Sequence, residues 1–270
     1  MSDSKLIQIP NDQQLRSLLL HLEKADRLFG KTSENSLETL YDLEEYYSDE
    51  DDAENALKTC KEIIARNNGR ISPDDVVTCE FTLHSIYYLF QLKDYKSAET
   101  TARNACSLTR QIAGSESHSY FISFRLLVEA MEKNGKVYSA MHSGKRLLRL
   151  CKDVCEEGSE EWYKTFLDQA RRYVRTNKYI EALHTLGEIS YDELPEEMRF
   201  NYLALLQISQ IGMEDFESAL QTANKTLKLI DPKVDDQRYQ FVQQNISDAE
   251  IAIAEKHVGI ANSEKDSSKV

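Results

Sequence analysis

Cys151 and Cys155 stand four residues apart, with His142 two turns upstream if the stretch is helical. Thiolate and imidazole at helical spacing are the raw material of a zinc site, but a structural zinc needs four ligands. No fourth ligand and no second cluster follow. Small thiols packed in a helical core account for the same spacing, so no metal is expected. A second candidate is the acidic run in "YYSDEDDAENALKTC", residues 46–60, where Asp49, Glu50, Asp51, Asp52 and Glu54 crowd together. An EF-hand loop would need a glycine after alternating ligands, and Ala53 stands at a ligand position instead. His84 and His118 have no partnered His. There is no Gly-rich phosphate loop, no H-E-x-x-H and no G-x-S-x-G. Nothing assembles a nucleophile with a base, so neither an enzyme nor a cofactor is expected.

The composition narrows the classes further. The 270 residues include 41% hydrophobic and 29% charged side chains, as in a folded soluble protein. A net charge of −13 argues against nucleic-acid binding, which needs a basic surface. No window is long and apolar enough for membrane insertion. The start, "MSDSKLIQIPNDQQ", lacks a basic segment followed by an apolar run, so no secretion signal is expected. Five scattered Cys fit a reducing, cytoplasmic or nuclear compartment. With only 4 Pro and 9 Gly, long helices are favoured over many short strands.

The elements that would position any site come from an internal period. The stretches "DDAENALKTCKEI", "KDYKSAETTARNA", "GKVYSAMHSGKRL", "NKYIEALHTLGEI" and "EDFESALQTANKT" align on Ala56, Ala98, Ala140, Ala182 and Ala219, at intervals of 42, 42, 42 and 37 residues. A small residue lets two antiparallel helices approach closely. Tyr95, Val137, Tyr179 and Phe216, three residues before their alanines, share the same helical face. Apolar periodic runs precede these helices, among them Leu40, Leu43 and Tyr47; Phe124, Leu127, Val128 and Met131; and Phe166, Ala170 and Tyr173. Each unit therefore reads as helix, turn, helix.

Boundary signals agree. "FGKTSENS", "NNGRISPDD", "AGSESHS" and "EEGSEE" place a Gly at a helix end and Ser or Thr before the next start. In "ISPDD", Ser72 is the expected N-cap and Pro73 the first helical residue. Pro195 and Pro232 fall at the last two boundaries, and Pro10 precedes the first helix. The expected layout is a flexible 1–10, a repeat domain over 11–258 and a disordered tail over 259–270. Single capping helices over 11–29 and 235–258 flank repeats at about 36–232. The first cap would turn Leu15, Leu18, Leu19, Leu22 and Phe29 inward; the second, Phe241, Ile246, Ala249 and Ile253. Asp52 aligns with Asp94 and Asp215, where an acid favours a helix start. Asp49, Glu50 and Asp51 then look surplus to folding, and Ser48 before them is a candidate for an acid-directed kinase.

At these residues the chain resembles the tetratricopeptide repeat (TPR) family, through the aromatic-x-x-Ala step and the paired helix before it. A period of 42 residues is similar to the kinesin-light-chain subtype. "AGSESHSYFISFRLLVEA" looks like that subtype's inter-repeat turn. The pattern departs at the family's small position, occupied by Glu44 in one unit and Gln207 in another, and at its early bulky position, occupied by Thr82 or Leu40. The resemblance implies an all-α fold: a right-handed superhelical α-solenoid of about five repeats, whose first helices line a concave groove. Carried over by position, the groove holds Glu38, Tyr41 and Glu45 from the first unit; Leu83, His84 and Tyr87 from the second; Arg125 and Glu129 from the third; and Leu167, Arg171 and Arg175 from the fourth. The second unit's register is open, because Phe81, Tyr88 and Leu92 also form a stripe. The groove would be acidic at one end and basic further on, unless these charges are only a solvated face. Family members that clamp a chaperone's C-terminal carboxylate use Lys, Asn and Arg. Tyr41, Glu45, His84 and Ile122 stand in those places, so chaperone tails are not expected partners.

The function implied is a non-enzymatic adaptor or scaffold that holds a protein or peptide partner in the groove. Two alternatives remain: a ligand-gated regulator that changes shape on binding a signalling peptide, and a helical-repeat subunit of a larger complex. Trp162 reads as core or as a binding anchor. The ending "SSKV" matches a strand-adding domain's ligand, at a length too short to weigh.

Overall fold

The computed structural model describes residues 13–72 and 74–267, with side chains to residue 255. Among the described residues there are twelve α-helices and no strand. Pro10, Pro73 and the expected flexible start lie outside them, as do residues 268–270 of the expected tail. The chain forms two compact units, residues 1–136 and 137–270. The first carries α1 (Gln13–Phe29), α2 (Glu34–Asp49), α3 (Ala53–Asn68), α4 (Asp75–Gln91), α5 (Tyr95–Ala113) and α6 (His118–Lys133). The second carries α7 (Val137–Val154), α8 (Glu160–Arg175), α9 (Tyr179–Gly187), α10 (Glu196–Gly212), α11 (Phe216–Leu227) and α12 (Asp236–Ser267). Within each unit every helix packs on its sequence neighbours, and α8 also packs on α10.

The period is written into the backbone. Ala56, Ala98, Ala140, Ala182 and Ala219 are each 0% exposed. Four of them sit where α2 meets α3, α4 meets α5, α8 meets α9 and α10 meets α11. Each hairpin turn holds one residue in the left-handed region: Asp51 (φ 55°), Lys93 (58°), Gly135 (79°), Asn177 (56°) and Glu214 (59°). That conformation lets two amides turn back onto the end of the first helix. In the second repeat, Lys93 N–H donates to the Phe90 carbonyl at 3.1 Å and Asp94 N–H to the Leu89 carbonyl at 2.9 Å. The same pair of bonds recurs in the other four turns. Asp51 is therefore not surplus, since Asp tolerates this conformation better than most residues.

The residue after each left-handed turn starts the second helix. The carboxylates of Asp52, Asp94 and Asp215 accept from the amides of Asn55, Ser97 and Ser218 at 3.1, 3.1 and 3.2 Å. Between repeats, Gly30, Gly114 and Gly158 have positive φ, and Ser33, Ser117 and Ser159 cap the helices that follow. The second boundary differs from expectation. Gly69 has φ −80°, and the cap of α4 is Asp74, not Ser72. The cause is Asn67, fully buried, which donates to the Asp74 carbonyl at 2.7 Å and accepts from its amide at 3.2 Å. The short last interval also has a cause. α9 has 9 residues where α3, α5 and α7 have 16, 19 and 18.

The terminal helices depart in detail. α1 buries only Ala25, while Leu19 (37%) and Phe29 (60%), expected inward, are exposed. Leu15, Leu18 and Leu22 are half-buried. Among the described side chains of α12, Val242 and Ala249 are buried, and Phe241 points outward at 41%. One residue of register separates Phe241 from Val242, about a 100° turn of the helix. α12 continues past residue 258 to Ser267.

Candidate functional site

α2 is anchored by Leu37, Leu40 and Leu43, at 1%, 3% and 2% exposure. The next residue, Glu44, falls where the repeat pattern has a small residue, and it is only 6% exposed. A carboxylate in that position needs donors. Three converge on its Oε1: the Tyr88 hydroxyl at 2.5 Å, His84 Nδ1 at 3.0 Å and the Cys60 thiol at 3.7 Å. They come from α4 and α3, so one carboxylate ties three helices together.

The electrostatics follow from that geometry. Burial pushes the Glu44 carboxyl up, and the hydrogen bonds from His84 and Tyr88 more than reverse it, leaving it below its ordinary range. The bond to Glu44 raises His84 against the opposing effect of burial. Burial, then Glu44, pushes the Tyr88 hydroxyl and the Cys60 thiol well up, so both remain protonated donors. Cys60 is thus a neutral core thiol and no nucleophile.

Beside this network lies a cavity of about 390 Å³ between α2 and α4. Tyr41, Phe81, His84 and Tyr88 supply its aromatic lining, and Asp42, Glu44, Glu45, Asp49 and Glu80 its carboxylates, with Ser48 also present. Tyr41 stacks on Phe81 with centroids 4.9 Å apart and an interplanar angle of 21°. Phe81 meets His84 edge-on at 5.4 Å.

Of the expected groove residues, Tyr41, Glu45 and His84 are brought together at this cavity. Glu38 is exposed on α2, away from the lining. Tyr87 is 45% exposed on α4, and Leu83 is half-buried. Phe81 and Tyr88 are buried at 5% and 7%, so the competing stripe is packing; Leu92, at 38%, is exposed. On α6, Arg125 and Glu129 are half-buried, and Glu129 pairs with Lys133 at 3.5 Å. In the second unit, Arg171 and Arg175 are exposed, and Arg171 pairs with Asp168 at 2.7 Å. Leu167 is a correction: at 3% exposure it belongs to the core, one position from the fully buried Phe166, and offers a ligand nothing. Trp162, at 8%, is likewise core, tilted against Phe166 at 4.8 Å. Glu44, Tyr88, Glu80 and Asp42 were not foreseen at the site. The one available signal was an acid at a position that should be small.

Units of two antiparallel helices, closed on an invariant alanine and joined in series, define a helical-repeat protein. No protein-family model and no curated protein matches the sequence. Solved structures match the fold. Kinesin-light-chain TPR-like repeats from Podosopora anserina align with TM-score 0.62 at 14% identity, covering 74% of this chain and 97% of that one. A tetratricopeptide repeat protein from Parabacteroides merdae aligns with TM-score 0.58 at 12% identity, covering 85% and 78%. The apo form of RapI aligns with TM-score 0.62 at 13% identity, covering 90% and 74%. The fold is therefore that of the tetratricopeptide repeats, an all-α helical-repeat solenoid, with kinesin-light-chain repeats among its structural neighbours.

Proposed function

We propose that this chain is a non-enzymatic adaptor that holds a segment of a protein partner against the first helices of its repeats. The cavity between α2 and α4 carries this reading, because three residues placed in the groove by the repeat pattern line it. A repeat fold used widely for protein interaction supports it. The five Cys form no disulfide, which supports a reducing, cytoplasmic setting. Affinity purification with mass spectrometry from the native cell would name the partner. Repeating the capture with Tyr41→Ala and with Arg171→Glu plus Arg175→Glu assigns the surface. Loss of the same partner with either variant supports the groove, and unchanged capture of every partner by both removes it.

A further inference from the structure

We infer that the cavity between α2 and α4 receives an arginine side chain from the partner, an assignment that rests on the adaptor reading. The first observation is an incomplete carboxylate. Glu44 is 94% buried and lines the cavity, since only 6% of it is exposed. All three of its hydrogen bonds fall on Oε1, and Oε2 accepts none from the described residues. Oε2 keeps contact with solvent at the cavity, which leaves it an acceptor for a donor that a ligand brings in.

The second observation is the lining. Asp42, Glu45, Asp49 and Glu80 add four exposed carboxylates, and His84 is the one basic side chain among the lining residues. Anions are repelled there, and cations are drawn in. The third is the shape of the aromatic wall. Tyr41 is half-buried, with Phe81 against one face, so part of its ring remains open. A guanidinium stacks on such a ring and offers a fork of donors to carboxylates, whereas an ammonium is a hydrated point charge. The cavity, at about 390 Å³, has room for a side chain of that size and too little for a folded element.

The test uses the full chain and the α-N-acetyl amides of arginine, citrulline and lysine, followed by amide chemical shifts in NMR titrations. Citrulline keeps the shape of arginine and lacks its charge. The expected result is saturable shifts in α2 and α4 with arginine, and binding at least tenfold weaker with citrulline. Lysine should fall between them. Tyr41→Ala, at a half-buried position, and Glu80→Lys, at an exposed one, should each weaken arginine at least fivefold, while Glu116→Lys, in the loop before α6, should not. Equal binding of citrulline would overturn the assignment. So would arginine shifts that Glu80→Lys and Glu116→Lys reduce alike, because that pattern is a diffuse counter-ion effect. The adaptor reading is judged separately. A captured partner that loses binding with Tyr41→Ala while free arginine stays out of the cavity refutes only the arginine assignment.

Discussion

Four of the five hairpin turns hold a side-chain-bearing residue in the left-handed region, and the third uses Gly135. Lys93 (φ 58°) and Glu214 (φ 59°) are the informative pair. Both are exposed, and neither side chain makes a hydrogen bond or ion pair among the described residues, so replacing them with Gly removes no such bond. An L-residue in this conformation costs about 1–2 kcal/mol. Glycine avoids that cost but carries about 0.4–1 kcal/mol more entropy in the unfolded chain. Lys93→Gly and Glu214→Gly should therefore each stabilise by roughly 0.5–1 kcal/mol, raising the melting temperature by about 1–4 °C. The two lie in different units and should add. Gly135→Ala supplies the opposite arm. A Cβ there meets nothing within 4 Å, so its cost is backbone strain alone, about 1 kcal/mol. Chemical denaturation of the three variants, read by circular dichroism, is the assay. Lower denaturation midpoints for both glycine variants, or an unchanged midpoint for Gly135→Ala, would refute the turn geometry.

Gly144→Ala should destabilise by roughly 1–3 kcal/mol, although Ala is the better helix former. Its Cβ would lie 1.8 Å from Oε1 of the fully buried Gln169, and adding Gln169→Ala should restore part of the loss in thermal melts. Ala98→Leu should cost roughly 1–3 kcal/mol by forcing α4 and α5 apart, and an unchanged melting temperature would contradict the register. Glu99, 4% exposed, accepts from Lys136, Arg103 and Asn134 at 2.8, 2.8 and 2.7 Å. Burial pushes its carboxyl up, but these bonds hold it down at about 2 against an ordinary 4.5. A depressed carboxylate stabilises fully above its unfolded pKa and loses that stability as pH falls through the folded value. Glu99→Gln should therefore flatten the acid dependence of stability between about pH 4.5 and about 2. The amplitude, roughly 1–2 kcal/mol, is discounted for the half-exposed Lys136 and Arg103.

The repeat was legible because its signals are short-range. An alanine at a helix crossing, an acid at a helix start and a glycine at a helix end are each read within a few residues. Three features needed distance. Oε1 of Glu44 is held by donors 16, 40 and 44 residues away, which no local pattern ties together. Its only trace was a mismatch with the small residue expected there, and that mismatch marks the cavity. Asn67 decides the cap of α4 from seven residues upstream, and so overrides the Ser-Pro signal at Ser72. Leu167 reads as groove on position alone, yet the packing of α8 buries it. Periodicity distinguishes faces of a helix; which face meets water depends on neighbours.

Site-specific photocrosslinking of the captured partner decides which helices hold it. A benzophenone amino acid is placed at Tyr87 on α4, at Lys58 on α3 or at Thr100 on α5, all exposed positions. The adaptor reading predicts crosslinks from Tyr87, lost when Tyr41→Ala is added, and none from Lys58 or Thr100. Crosslinks from Lys58 and Thr100 with none from Tyr87 would place the partner on the second helices and contradict it.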